Sequence, residues 1–87
     1  MKLNEAASQR LSELLAERNM TQYQLYARSG VTRGTISNII LCRNKALNLR
    51  VLHDLCQGLD INLVDFFDSP LFDNANLDPK TACYSLE

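Results

Sequence analysis

Two side chains near the middle of the chain could read a pattern of donors and acceptors. Arg33 carries a planar fork of N–H groups, the shape that grips the paired acceptors O6 and N7 of guanine. Asn38 carries a donor beside an acceptor and could meet N6 and N7 of adenine in the same way. On any exposed helix both residues would equally be ordinary solvated surface. Arg43-Asn44-Lys45, a short way downstream, could hold phosphate or be a polar loop in water. His53 and Cys56 offer a different chemistry. Three positions apart, they could begin a metal site or a nucleophile–base pair, but no third ligand or orienting carboxylate accompanies them.

The remaining chemistry is sparse. The three cysteines, Cys42, Cys56 and Cys83, are odd in number and match no zinc spacing, so reduced thiols in a cytoplasmic protein are expected. The single histidine has no evident partners, there is no Gly-rich phosphate loop, and no paired carboxylates converge on a cleft. The expectation is therefore a non-enzyme without cofactor or metal. No apolar run approaches the roughly 20 residues that a membrane helix requires, and the polar N-terminus lacks a signal core.

Charge is divided along the chain. Residues 1–50 carry eight Lys/Arg and three acids, a net +5, whereas residues 51–87 carry one Lys and seven acids, a net −6. From Arg18 to Arg50 there are six basic residues and no acid. Such a division suits one polyanion-binding surface backed by a face held away from the polyanion, and it is also within ordinary charge scatter.

The elements that must position these groups read as helices, since no stretch alternates apolar and polar residues for long. A first helix is expected from Asn4, as N-cap, to about Arg18, with Ala7, Leu11, Leu14 and Leu15 as its apolar stripe. Thr21 and Gln24 have capping-box spacing and open a second helix, flanked by the staple pair Met20 and Leu25; Gly30 should end it in a left-handed conformation. Thr32 caps a third helix almost at once, with Val31 and Ile36 as staple, and that helix runs to about Leu41, burying Ile36, Ile39 and Ile40. About three residues including a glycine thus join helices two and three, the chemistry of a helix-turn-helix corner. A fourth helix starts at Asn48, with Leu47 and Leu52 as staple and Leu49, Leu52, Leu55, Cys56 and Leu59 on its apolar face. It ends between Gly58 and Asp60, either of which could take the left-handed cap. Asn62 caps a short fifth helix, with Ile61 and Phe66 as staple, which Ser69-Pro70 stops. Residues 1–67 then form one domain. Residues 68–87 form a short tail, partly packed near Leu71 and Phe72 and otherwise flexible.

The stretch MTQYQLYARSGVTRGTISN, Met20 to Asn38, resembles the Cro/C1-type (XRE) helix-turn-helix family of bacterial and phage regulators. The likeness continues through LNLRVLHDLCQGLDINLVDFF, Leu47 to Phe67, and spans about residues 10–67. It implies an all-α, five-helix, lambda-repressor-like DNA-binding domain. Three departures stand out. Tyr26 occupies a place usually held by a small residue facing the third helix, so its ring must rotate away or widen the crossing. Cys42 stands where Gly often ends the third helix. Leu15 and Ile40 replace a buried Arg–Glu pair linking the first and third helices, an exchange that leaves no stranded charge.

The resemblance implies a cytoplasmic transcription regulator, in the first place a repressor, that recognises double-stranded DNA through the start of its third helix. Thr32, Arg33, Gly34, Ser37 and Asn38 are then the base-contacting candidates. Gly34 inside a helix costs up to about 1 kcal/mol relative to Ala; either it allows close approach to the groove floor or the first turn tolerates it cheaply. Gln22, Tyr23, Thr35, Arg43, Asn44 and Lys45 are the phosphate-contacting candidates, with Gln22 placed by the resemblance. One reading helix covers few base pairs, so a homodimer with heads about 34 Å apart is expected. Phe67, Leu71 and Phe72 are its contact candidates, with filling of the monomer core as the alternative use of these aromatics. A toxin-neutralising antitoxin that autoregulates its operon, its tail folding on a protein partner, is the competing reading.

Overall fold

Three of the described α-helices begin at a side chain that accepts from a first-turn N–H, and the other two begin where a first-turn carboxylate accepts the N–H of the preceding residue. In the computed structural model, which describes residues 1–43 and 47–79, five α-helices follow one another. They are α1 (Leu3–Glu17), α2 (Gln22–Ser29), α3 (Arg33–Ile40), α4 (Leu49–Leu59) and α5 (Leu63–Phe67); a single 3₁₀ turn, Pro70–Phe72, comes after them. Among the described residues there is no strand, and no helix is long and apolar enough to cross a membrane.

The caps of α2, α3 and α4 are those expected. Thr21 Oγ1 accepts from the Gln24 N–H at 3.1 Å, and the Gln24 side chain accepts from the Thr21 N–H at 2.9 Å. Thr32 Oγ1 accepts from the Thr35 N–H at 3.2 Å, and Asn48 Oδ1 accepts from the Arg50 N–H at 2.8 Å. Asn62 precedes α5 and donates its N–H to the Asp65 carboxylate at 3.2 Å. The first helix departs from expectation. Asn4 is not its N-cap, because Lys2 holds that position and donates its N–H to Glu5 Oε1 at 2.8 Å, starting the helix earlier.

The helix ends carry the larger surprise. Asn19, Cys42 and Asp60 all adopt positive φ, at 50°, 56° and 60°. After each, the next N–H reaches back five residues: Met20 to the Leu15 carbonyl at 2.9 Å, Arg43 to Asn38 at 2.8 Å, and Ile61 to Cys56 at 3.0 Å. These bonds satisfy terminal carbonyls by a route usually given to glycine. Cys42 therefore does the glycine's work at the end of α3, and Asp60, not Gly58, takes the left-handed cap of α4.

Gly58 has a different purpose. A Cβ built there would lie 2.7 Å from Ser29 Cβ and 3.0 Å from Ser29 Cα, so the bare backbone lets α4 press against the last residue of α2. That contact sits directly behind the helix-turn-helix corner.

The core is formed by Leu11, Leu14 and Leu15 of α1, Leu25 of α2, Ile36 and Ile39 of α3, Leu52, Leu55, Cys56 and Leu59 of α4, and Phe66 of α5. All four staple pairs, Met20/Leu25, Val31/Ile36, Leu47/Leu52 and Ile61/Phe66, lie in this core or pack against it. Ile40 is only partly buried, and Leu49, expected on the apolar face of α4, is 66% exposed; it stands in the first turn, beyond the stripe that meets the core. Leu15 and Ile40 belong to this apolar assembly, and α1 and α3 are also tied by Ser8, whose hydroxyl donates to the Ile40 carbonyl at 2.6 Å.

Beyond Phe67 the chain turns back along α1. Phe72 packs on the core, its ring 5.9 Å from Phe66 and 4.9 Å from Phe67. Further on, the Asp78 N–H donates to the Met1 carbonyl at 2.8 Å, and the Asp78 carboxylate meets the Met1 amino group at 3.1 Å.

Candidate nucleic-acid interface

The corner between α2 and α3 is fixed by three local features. Gly30 takes φ 77° and donates its N–H to the Tyr26 carbonyl at 3.0 Å, the Val31 N–H donates to Ser29 Oγ at 3.1 Å, and Val31 is buried. Ile36 and Ile39 anchor the inner side of α3. Its first turn, Thr32-Arg33-Gly34, is consequently left exposed. Ser37 and Asn38 are half-buried, and Asn38 lines a small cleft with Asn4, Cys42 and Leu47, nearer α1 than the leading edge of α3.

Gly34 has no internal reason to be glycine. A Cβ built there meets nothing within 4 Å, and its φ is not in the left-handed region. Hydroxyl usage is also specific. Thr32 Oγ1 donates to Thr35 Oγ1 at 2.9 Å while accepting from the Thr35 N–H, so its single donor is taken by the cap and one lone pair remains to accept. Thr35 accepts that bond and keeps its own O–H to donate elsewhere.

Tyr23 and Tyr26 project from α2 on the same side, 58% and 40% exposed. The Tyr26 ring is accommodated by turning outward, where it meets Tyr23 edge-on at 6.0 Å between centroids. The guanidinium carbon of Arg33 stands 5.6 Å from the Tyr23 ring centroid, bridging α3 to α2. Gln22, the first residue of α2, is exposed beside them. Arg43 is exposed at the far end of α3; Asn44 and Lys45, also expected to meet phosphate, lie outside the described residues, as does Cys83.

The basic half of the chain is not all available to a polyanion. Arg10 donates through Nε to the Phe66 carbonyl at 2.8 Å and through a terminal nitrogen to the Asp65 carbonyl at 2.7 Å, capping α5. Arg18 Nε donates to the Leu59 carbonyl at 3.0 Å, capping α4, and Arg50 lies 3.7 Å from Asp54. Sequence reasoning counted these arginines as surface charge; no local pattern signals a partner 41 or 56 positions away. The described cations left to the α2–α3 side are Arg28, Arg33 and Arg43.

His53 and Cys56 do not come together: His53 is exposed and Cys56 is fully buried. Burial, with a lesser push from the Asp65 carboxylate, raises the Cys56 thiol above its usual range. Among the described residues no three His, Cys, Asp or Glu side chains gather as a metal site.

An α-helix exposed along one edge, held by a second helix at a glycine corner, is the form that enters a major groove. The family model for the Cro/C1-type helix-turn-helix DNA-binding domain matches residues 10–70. The chain belongs to the Cro/C1-type helix-turn-helix family. It is an all-α DNA-binding domain of the kind that regulates transcription.

Solved structures of similar Cro/C1-type fold include prophage Lp1 protein 11, at 28% identity and TM-score 0.74, covering 85% of this chain and 99% of that one. The wild-type restriction-modification controller protein C.Esp1396I matches at 28% identity and TM-score 0.72, covering 78% of this chain and 88% of that one. The same controller protein is also solved as a tetramer in complex with its natural 35-base-pair operator, with the same identity and TM-score. No curated protein matches the chain.

Proposed function

We propose that this protein is a sequence-specific regulator of transcription that binds double-stranded DNA as a homodimer and represses from its operator. The observation that carries this reading is the exposed first turn of α3, where Arg33 projects beside a glycine that the fold itself does not need. Glycine in a helix costs up to about 1 kcal/mol against Ala, and with open space around it no contact within the described residues offsets that cost, so we read the offset as external. A groove floor pressed against that turn supplies it.

Arg33 is the principal base-reading residue, with Ser37 next along α3 and the Thr32 methyl available for apolar contact with a thymine, while Asn38, half-buried in the cleft toward α1, has the lesser part. Gln22, Tyr23, Thr35 and Arg43 hold phosphates, as do Asn44 and Lys45, which come next in the sequence. The free O–H of Thr35 suits that task. The controller protein solved on its natural operator supports the choice of duplex DNA as partner.

The dimer surface is the groove of about 410 Å³ between the start of α1 and the faces of α4 and α5. Phe67 and Phe72 line it together with Leu3, Leu47 and Leu49. Leu3 and Leu49 are 58% and 66% exposed, large apolar side chains that a second copy would cover. Leu71 lies in a different depression, beside Met1, Gln9 and Glu13, and sits apart from this contact.

Selection from a random duplex library tests the whole reading. A palindromic consensus is expected, and Arg33→Ala should relax preference at one base pair per half-site, losing roughly 1–3 kcal/mol of discrimination. Enrichment of no consensus, or an Arg33→Ala preference identical to the parent's, would overturn the assignment.

A further inference from the structure

The geometry points to the Tyr23–Tyr26 pair as a positioning device that holds Arg33 ready for its base; this rests on the reading of Arg33 as a base-contacting residue. From Arg18 to Arg50 the chain contains no acid, and among the described residues no carboxylate pairs with Arg33. Its guanidinium is instead held by an aromatic face, with the guanidinium carbon 5.6 Å from the Tyr23 centroid. Tyr23 in turn is braced by the Tyr26 edge, one helical turn along α2, at 6.0 Å and 61° between planes. The three groups form a short row across the outer side of the corner.

The chemistry of that hold matters. A carboxylate partner would occupy the N–H fork and neutralise its charge, so it would compete with guanine for the same donors. A ring attracts the cation through its π electrons and takes none of the N–H hydrogen bonds. Arg33 is thereby restrained while its charge and donors remain available. Freezing a long side chain on binding carries an entropic cost, and a contact that already restricts it reduces that cost. The large residue at Tyr26 then has a purpose: it keeps the Tyr23 ring upright for Arg33.

The test measures binding to the duplex enriched by selection, to the same duplex changed at the base pair that Arg33→Ala relaxes, and to an unrelated duplex, all at one salt concentration. Thermal melts establish that each variant is folded. Tyr23→Leu is expected to lower discrimination at that base pair about three- to tenfold, the range for immobilising one flexible side chain, while preferences elsewhere persist. Tyr23→Phe keeps the ring and should retain the discrimination, even where loss of its hydroxyl weakens all duplexes equally. Tyr26→Ala should give a smaller loss at the same base pair. In an Arg33→Ala background, Tyr23→Leu should have no further effect there.

A Tyr23→Leu variant that binds all three duplexes more weakly, with discrimination intact, would reduce Tyr23 to a phosphate or packing residue and overturn the proposal. So would a Tyr23→Phe variant as impaired in discrimination as Tyr23→Leu. If Arg33→Ala itself changes no preference, the base-reading assignment falls and the positioning role falls with it. That result is separable from an effective Arg33→Ala beside a silent Tyr23→Leu, which defeats the positioning role alone.

Discussion

The outer side of α2 and α3 and the groove bounded by α1, α4 and α5 are both left uncovered by the fold, yet they are made of opposite materials. The first presents Gln22, Tyr23, Thr32, Arg33 and Gly34, polar or small groups with no acid among them. The second presents Leu3, Leu49 and Phe67, apolar groups that water should not keep. On the proposed reading, the difference follows from what each surface meets. Hydrogen-bonding and cationic groups remain soluble until a polyanion replaces their water, whereas exposed leucines and phenylalanine gain only by meeting another apolar face. The distribution of charge keeps the two apart, because the acidic half of the sequence contains α4, α5 and the residues after them.

The contrast can be broken most strongly at the groove. Leu49→Asp and Phe67→Asp should each shift the protein toward monomer, costing about 2 kcal/mol or more in association if the site is a hot spot. Light scattering across a concentration series reads this directly. Leu49→Asp is the cleaner variant, since an acid in the first turn of α4 favours the helix itself. An unchanged mass for both variants would remove the groove from the dimer. Next in size is Gly58→Ala. The clash with Ser29 should cost about 1–3 kcal/mol, outweighing the gain of up to about 1 kcal/mol from replacing a helical glycine. The melting temperature should fall by several degrees for each kcal/mol lost. A variant as stable as the parent would mean that α2 and α4 separate without penalty.

Gly34→Ala sharpens the comparison by separating folding from recognition. Stability should rise by up to about 1 kcal/mol, while affinity for the selected duplex falls. Equal or improved binding would show that the glycine has no role at the groove. The smallest effect is expected at Cys42, where φ is 56°. Cys42→Gly should stabilise the fold by less than about 1 kcal/mol, release of left-handed strain being partly offset by the greater freedom of glycine in the unfolded chain, and leave the choice of duplex unchanged. A drop in melting temperature would instead assign weight to the Cys42 thiol, whose sulfur lies 3.8 Å from the Asn4 carbonyl.

The starts of α2 to α5 were readable in the sequence because their signals are local, whereas the start of α1 was misplaced at Asn4. Thr21 with Gln24, Thr32 and Asn48 each act within three residues, and the staple pairs recur at a fixed spacing of five. Helix ends were less readable, since Asn19 and Cys42 lack the glycine that advertises a left-handed residue. Contacts across long separations were not readable at all. Nothing near Arg10 or Arg18 announces the carbonyls of Phe66 and Leu59, and nothing near Gly58 announces Ser29. Leu49 misled because helical periodicity places a first-turn residue on the apolar stripe, while the core ends one turn further in. At the candidate site, the exposure of Thr32, Arg33 and Gly34 agrees with the sequence reading, but the row formed by Tyr26, Tyr23 and Arg33 needed three dimensions to be seen.

The division of labour on α3 has a consequence for change over time. The fold relies on Ile36 and Ile39 from this helix, along with the Thr32 cap, and makes no demand on Arg33 or Gly34. On the proposed reading of Arg33 and Gly34, substitutions at those two positions would rewrite the address without jeopardising the scaffold. Retargeting such a protein to a new promoter, by selection in nature or in a laboratory library, begins with a small set of codons rather than a redesigned domain.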